Sequence, residues 1–356
     1  DWVEYLNSDA KSPMTDLRKK NGREKPWNVK YFAVGNESWG CGGNMTSEYY
    51  TDHFKQFSTY LRYGNLYRVA SSGLDSDYDW TETLFKKMQS SFGLIQGYSF
   101  HCYAFTYEWL NKGSATKINE NDWCGIMKNT LAMEECIKRQ VAIMDKYDPV
   151  NRIGLIADEW GTWYDVEPGT NPGFLYQQNT LRDAVAASAF LNIFNNYARR
   201  VKMANIAQTI NVLQAMLLTK DDKIVKTPTF YVFKMYKVHQ EATLLPMNLS
   251  CEDFTVGNVT LPSVSASASK DSTGKIHVSM CNINPNKEMA VEIDLRGVKK
   301  LSKAKGEIIT ASAMNAYNDF DKPEEVNCQP YSGYKINNNL IQIKLPAKSV
   351  VTLEVE

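Results

Sequence analysis

Residues 31–39 read Tyr31-Phe32-Ala33-Val34-Gly35-Asn36-Glu37-Ser38-Trp39, a short apolar run broken by glycine and followed by an amide, a carboxylate and an indole. An unbroken apolar run of this length fits a strand buried on both faces, as in a parallel sheet. Parallel strands need crossover helices, so the flanking sequence should alternate between the two periods. It does. After Thr46, the residues Tyr50, Phe54, Phe57 and Leu61 recur at helical spacing, and 66–70 reads as the next strand. Asp79, with Glu82 three residues on, predicts the cap of a helix whose inner face is Trp80, Leu84 and Met88. A third strand is predicted over 95–101, and a loop over 108–128 carries Trp109 and Trp123. The next helix turns Met133, Ile137, Val141 and Met144 inward and leads to a fourth strand over 153–158.

Thr180 and Asp183 then look like the capping pair of a helix lined by Leu181, Val185, Ala189, Ile193 and Tyr197. A fifth strand over 204–210 and a closing helix over 230–239 follow. Five such units are too few for a closed barrel. They predict an α/β protein, the later strands of a (β/α)8 TIM barrel with the first strands missing. After about residue 241 the period changes to two, in Ile276, Val278, Met280, in Met289, Val291, Ile293, Leu295 and in Ile341, Ile343, Leu345. Turn clusters at Asp271-Ser272-Thr273-Gly274 and Asn337-Asn338-Asn339 separate these runs, which predicts a C-terminal antiparallel β-sandwich. The expected division is 1–240, a partial barrel entered just before its strand 4, and 241–356, the sandwich.

Forty basic residues balance forty acidic ones and no Lys/Arg block stands out, which argues against nucleic acid as a partner. No apolar run reaches the roughly 18 residues of a membrane span. The seven cysteines are odd in number and widely spaced, with no zinc-like pair. The chain opens on Asp1-Trp2-Val3 without a Met, as though cut from something longer. A soluble protein is expected, either cytoplasmic or secreted to the periplasm or beyond.

Barrel enzymes place their reactive groups at the C-terminal ends of strands. The first predicted strand ends in Gly35-Asn36-Glu37 and the fourth in Asp158-Glu159-Trp160. Two carboxylates three strands apart, facing a shared cleft, are what glycoside cleavage requires. One protonates the leaving oxygen and the other traps or stabilises the oxocarbenium-like centre. An amide beside the acid can also bond the sugar 2-hydroxyl. His101 and Tyr103 share one parity at the end of the third strand, so both can face the same way. Singly, each motif could be a helix cap or a surface turn; a packed His or a lone strand Gln is equally ordinary.

Gly35-Asn36-Glu37 and Asp158-Glu159-Trp160 resemble the strand-4 and strand-7 signatures of the retaining 4/7 clan of glycosidases. More narrowly, Asp158-Glu159-Trp160-Gly161-Thr162-Trp163-Tyr164 and residues 200–212 resemble family 51 α-L-arabinofuranosidases. The resemblance spans nearly the whole chain. It implies release of terminal α-L-arabinofuranosyl residues from arabinose-containing oligo- or polysaccharides, with Glu37 as acid/base and Glu159 as nucleophile. It further implies Asn36 on the 2-hydroxyl, Tyr103 holding the nucleophile, Gln208 reaching the arabinose and Trp163 walling the pocket, with His101 and Trp39 also on the substrate. No cofactor or metal is implied, and the family leans toward homo-oligomers.

Sugar-binding residues that the family brings from its first barrel strands have no counterpart here. An N-terminally truncated enzyme is therefore expected, inactive until the missing barrel segment is supplied. Two rivals stand beside this reading. An endo-acting β-glucanase or xylanase of the same clan would prefer an unsubstituted polymer to a capped arabinoside. An inactive carbohydrate-binding fragment would keep its sugar affinity after Glu159→Ala.

Overall fold

The computed structural model describes residues 1–74, 76–298 and 301–356. The chain divides into two compact units. The first comprises Asp1–His101, Glu135–Asp158 and Arg199–Met203; the second comprises Cys102–Glu134, Glu159–Ala198 and Ala204–Glu356.

The first unit opens with two helices, α1 (Trp2–Asn7) and α2 (Pro13–Lys20). Ser12 and Thr15 cap α2 reciprocally, with Pro13 in its first turn. A five-stranded sheet follows in the order β1 (Tyr31–Val34), β2 (Tyr67–Ala70), β3 (Gly97–Ala104), β4 (Gly154–Thr162), β5 (Val201–Ile206). The first two junctions are parallel, with Tyr31 opposite Tyr67 and Val69 opposite Gly97. The strands β3, β4 and β5 begin in this unit and end in the second. Between them run α3 (Ser47–Tyr60), α4 (Tyr78–Met88), α5 (Glu120–Tyr147), whose residues up to Glu134 belong to the second unit, and, wholly in the second unit, α6 (Leu181–Asn196). This is the order and alternation of the later part of a (β/α)8 barrel.

Several local expectations need correction. β1 is an edge strand, and Tyr31 and Ala33 on one of its faces are exposed rather than buried. On α3 the buried residues are Tyr50, Thr51, Phe54 and Ser58, whereas Phe57 is exposed. The cap of α4 is Asp77, which accepts from Trp80 N at 3.0 Å, so Asp79 lies within the helix. Trp123 is no loop residue. It sits inside α5, fully buried, and donates from Nε1 to Ile283 O at 2.8 Å. Val141 is only half-buried; the adjacent Gln140 is buried and accepts from Thr81 Oγ1 at 2.7 Å.

In the second unit, Asp183 Oδ2 accepts the Thr180 N–H at 2.6 Å, so these two residues do fasten the start of α6. The helix is buried on nearly every side, through Leu181, Val185, Ala189 and Ile193 but also Phe190 and Phe194. A hairpin, β6 (Leu217–Lys220) with β7 (Lys223–Lys226), precedes α7 (Pro228–Tyr236). The sandwich strands are β8 (Thr243–Leu244), β9 (Asp253–Val256), β10 (Val259–Pro262), β11 (Val264–Lys270), β12 (Ile276–Asn282) and β13 (Met289–Asp294). They continue as β14 (Ala304–Ile309), β15 (Gln329–Tyr331), β16 (Tyr334–Asn337), β17 (Leu340–Leu345) and β18 (Ser349–Val355). One sheet runs β15-β14-β18-β12-β11-β8 and another β13-β17-β16. Val278, Met280, Met289, Ile341, Ile343 and Leu345 meet in one core, as their period-2 spacing predicts. Asparagines of α6 join this sandwich to the helix: Asn195 Nδ2 donates to Ser267 Oγ at 3.0 Å and Asn196 Nδ2 to Ala266 O at 3.0 Å.

His239, just past α7, lies 2.7 Å from both Ser269 Oγ and Ser279 Oγ, one ring nitrogen to each. Burial, with the nearby His277, holds its imidazole down to about 4 from 6.5. Because the folded protein binds this proton more weakly than the unfolded chain, the group costs nothing above pH 6.5. As the pH falls from there toward 4, stability should drop by up to roughly 3 kcal/mol. Urea midpoints across this range should show the loss, and His239→Gln should flatten it.

Candidate active-site residues

In the first unit Glu37 stands three residues past β1, in a tight loop. Its φ is +44°, in the left-handed region that non-glycine residues occupy at a cost of order 1 kcal/mol. The loop holds it there through hydrogen bonds. Glu37 O accepts from Gly40 N at 2.8 Å and Gly42 N at 3.0 Å, and Ser38 O accepts from Met45 N at 2.8 Å. From below, Tyr50 Oη donates to Val34 O at 2.6 Å and accepts from Ser71 N at 2.6 Å. Burial pushes that phenol's ionisation upward, so it remains a donor.

Gly42 is required for steric reasons, since a Cβ there would lie 1.7 Å from Asn36 O. Gly42→Ala must therefore move the backbone that aims Glu37. An ångström of misplacement can cost about 100-fold in rate, and kcat/KM should fall by at least that much. A kcat/KM within a few-fold of the parent would show that the loop tolerates the shift.

The Glu37 carboxyl is half-buried, with Oε1 3.0 Å from His101 Nδ1 and Oε2 accepting from Cys41 Sγ at 3.2 Å. His101 Nε2 lies 3.4 Å from Asp158 Oδ1, which accepts from Ser99 Oγ at 2.7 Å. Cys41, Asp158 and Ser99 carry no periodic or motif signal in the sequence for these contacts. Asn36 is exposed beside Glu37. Trp39 is half-buried and lines a surface cleft of about 510 Å³ with Met45, Leu74 and Trp80.

In the second unit Glu159 lies within β4 rather than beyond its end. Tyr103, on β3, donates its hydroxyl to Glu159 Oε1 at 2.5 Å. The Tyr103 ring meets Trp163 edge-on at 4.9 Å, and Trp163 meets Trp109 at 5.2 Å. Lys112 Nζ sits 4.4 Å from the Trp109 ring and donates to Trp109 O at 2.7 Å, fixing this aromatic wall. Trp160 points the other way, fully buried against Phe190, Phe194 and Phe233. Gln208 does not lie on a strand, because β5 ends at Ile206. It is exposed in a loop folded on itself, with Gln208 N donating to Val212 O at 3.2 Å.

Of the residues singled out in the sequence, the first unit thus brings together Glu37 and His101. The second brings together Tyr103, Glu159 and Trp163. No helix among the described residues is long and apolar enough to cross a membrane.

Two family profiles match the chain: the α-L-arabinofuranosidase C-terminal domain over residues 158–349 and the α-L-arabinofuranosidase 1 domain over residues 1–70. An intracellular exo-α-L-arabinofuranosidase of Bacteroides ovatus is 52% identical, across all of this chain and 69% of its own length. A probable α-L-arabinofuranosidase C of Aspergillus niger is 28% identical over 88% of the chain and 65% of its own. Among solved structures, the GH51 arabinofuranosidase of Xanthomonas axonopodis pv. citri superposes with a TM-score of 0.96 at 40% identity, over all of this chain and 72% of that one. The arabinose complex of the Thermotoga maritima enzyme, at 22% identity and a TM-score of 0.81, shares the fold. This chain therefore spans about two-thirds of the length of these relatives, and it belongs to the α-L-arabinofuranosidases of glycoside hydrolase family 51.

Proposed function

We propose that the protein releases terminal α-L-arabinofuranosyl residues from arabinose-containing saccharides by double displacement, with Glu159 as nucleophile and Glu37 as acid/base. The observation that carries the reading is the 2.5 Å hydrogen bond from Tyr103 Oη to Glu159 Oε1. A phenol donating to a carboxylate oxygen fixes that group's orientation, as an attacking nucleophile requires.

In the first step Glu159 bonds to the anomeric carbon while Glu37 gives its proton to the departing glycosidic oxygen. In the second, Glu37 takes a proton from water as that water opens the arabinosyl ester and frees Glu159. His101 fits both steps. Its Nδ1 lies 3.0 Å from Glu37 Oε1 and its Nε2 3.4 Å from Asp158 Oδ1, which keeps the Glu37 carboxyl in one orientation. Asn36 contacts the sugar 2-hydroxyl, Trp163 walls the pocket, and Gln208 and Trp39 complete the contacts to substrate.

Two inversions give net retention. Proton NMR of the first minutes of hydrolysis should show α-L-arabinofuranose forming before mutarotation. Initial appearance of the β anomer would replace Glu159's role with that of a base.

A further inference from the structure

The tip of β4 is held by side chains where a neighbouring strand would ordinarily supply the hydrogen bonds. Thr162 N donates to Gln214 Oε1 at 2.7 Å, Gln177 Nε2 donates to Thr162 O at 3.0 Å, and Tyr164 N donates to Gln177 Oε1 at 2.8 Å. Both glutamines are almost completely buried. Gln214 is itself fixed, since its Nε2 donates to Asp183 O at 2.9 Å and to Thr229 Oγ1 at 3.1 Å. Thr162 Oγ1 donates to Asp183 Oδ1 at 2.5 Å, which ties the same residue to the start of α6. Gly161, at φ +149°, leaves room for this grip: a Cβ there would lie 2.9 Å from Gln214 Oε1.

From these contacts we propose that Gln177 and Gln214 are positioning residues for the nucleophile. The inference rests on the reading of Glu159 given above. The two amides hold Thr162 and Tyr164, and these flank Trp163. On the other side of the strand, Trp163 N donates to Ala104 O at 2.9 Å. Trp163 is thereby pinned from both edges, and its ring packs on Tyr103, whose hydroxyl holds Glu159. Only a side chain that both donates and accepts can serve Thr162 O and Tyr164 N at once, and glutamine does so without charge. A buried network with each of these bonds made is stiff, and a missing member leaves a backbone group unpaired.

The test uses the full polypeptide and an arabinofuranose-configured electrophile that esterifies the nucleophile, with peptide mapping of the labelled residue. Gln177→Met and Gln214→Met should each slow capture per folded molecule by about 10- to 100-fold and lower kcat by the same factor, with KM moving less than about threefold. Because a methionine variant can fail to fold, Gln214→Glu and Gln214→Asn complete the series. Glutamate keeps an acceptor for Thr162 N but loses the donor to Asp183 O, so it should label faster than methionine yet below the parental rate; asparagine is too short and should label slowly. Equal rates in these two, or undiminished capture in the folded methionine variants, would overturn the positioning role. Label absent from Glu159 in the parent would instead remove the reading of the nucleophile.

Discussion

Glu159→Ala is expected to lower kcat on an aryl α-L-arabinofuranoside by roughly 10⁴-fold or more, the scale seen when the attacking group of a covalent mechanism is removed. That corresponds to about 5.5 kcal/mol of lost transition-state stabilisation. Tyr103 keeps its place against Trp163 in the variant, because that contact does not involve the carboxylate. The space left behind accepts a small anion. Azide should therefore restore turnover and give the β-configured arabinosyl azide, since one displacement replaces two. Measuring the rate with and without azide, and the product's anomeric configuration, checks the assignment. Unchanged activity without azide would refute it.

The second large effect is expected at Glu37, and its size should depend on the substrate. With Glu37→Ala, a leaving group of high pKa loses its proton donor, and natural oligosaccharides should be cleaved about 10³- to 10⁴-fold more slowly. A dinitrophenyl arabinoside needs no proton, so its first step should change by less than about tenfold, and a burst should appear as the arabinosyl-enzyme accumulates. Azide again rescues, but here it intercepts the covalent intermediate and yields the α-configured product. The two variants thus differ in the anomer they release. The same anomer from both would mean that the roles given to the two glutamates are wrong.

Much of this was legible in the sequence because it is periodic. The alternation of strand and helix, the start of α6 at Thr180 and the three period-2 runs of the sandwich all follow from side chains facing one core. The glutamates were legible for a related reason, since polar residues directly after an apolar run are where a barrel places chemistry. What could not be read are contacts made across sequence distance. Nothing in Gly40-Cys41-Gly42 announces that the thiol turns back to Glu37, because the loop closes through backbone bonds in which the Cys41 side chain has no part. The polar neighbours of Trp123 predict a loop, although tertiary packing draws it into α5. The ends of β4 and β5 differ from the sequence expectation for the same cause: Thr162 gains its partners from Gln177 and Gln214, while the chain after Ile206 turns to bond with itself.

The seam between α6 and the sandwich has a bearing on inheritance. Asn195 and Asn196 reach Ser267 Oγ and the Ala266 carbonyl on β11, and Trp123 of α5 donates to Ile283 O. A gene exchange that brought in a foreign β-domain would leave the fully buried Trp123 indole N–H without its acceptor, at a cost of about 1–3 kcal/mol, and would remove the two asparagine bonds at the seam's rim. Catalytic and accessory halves are therefore expected to have been transmitted together, and a chimera should fold only when both margins of that seam come from one parent.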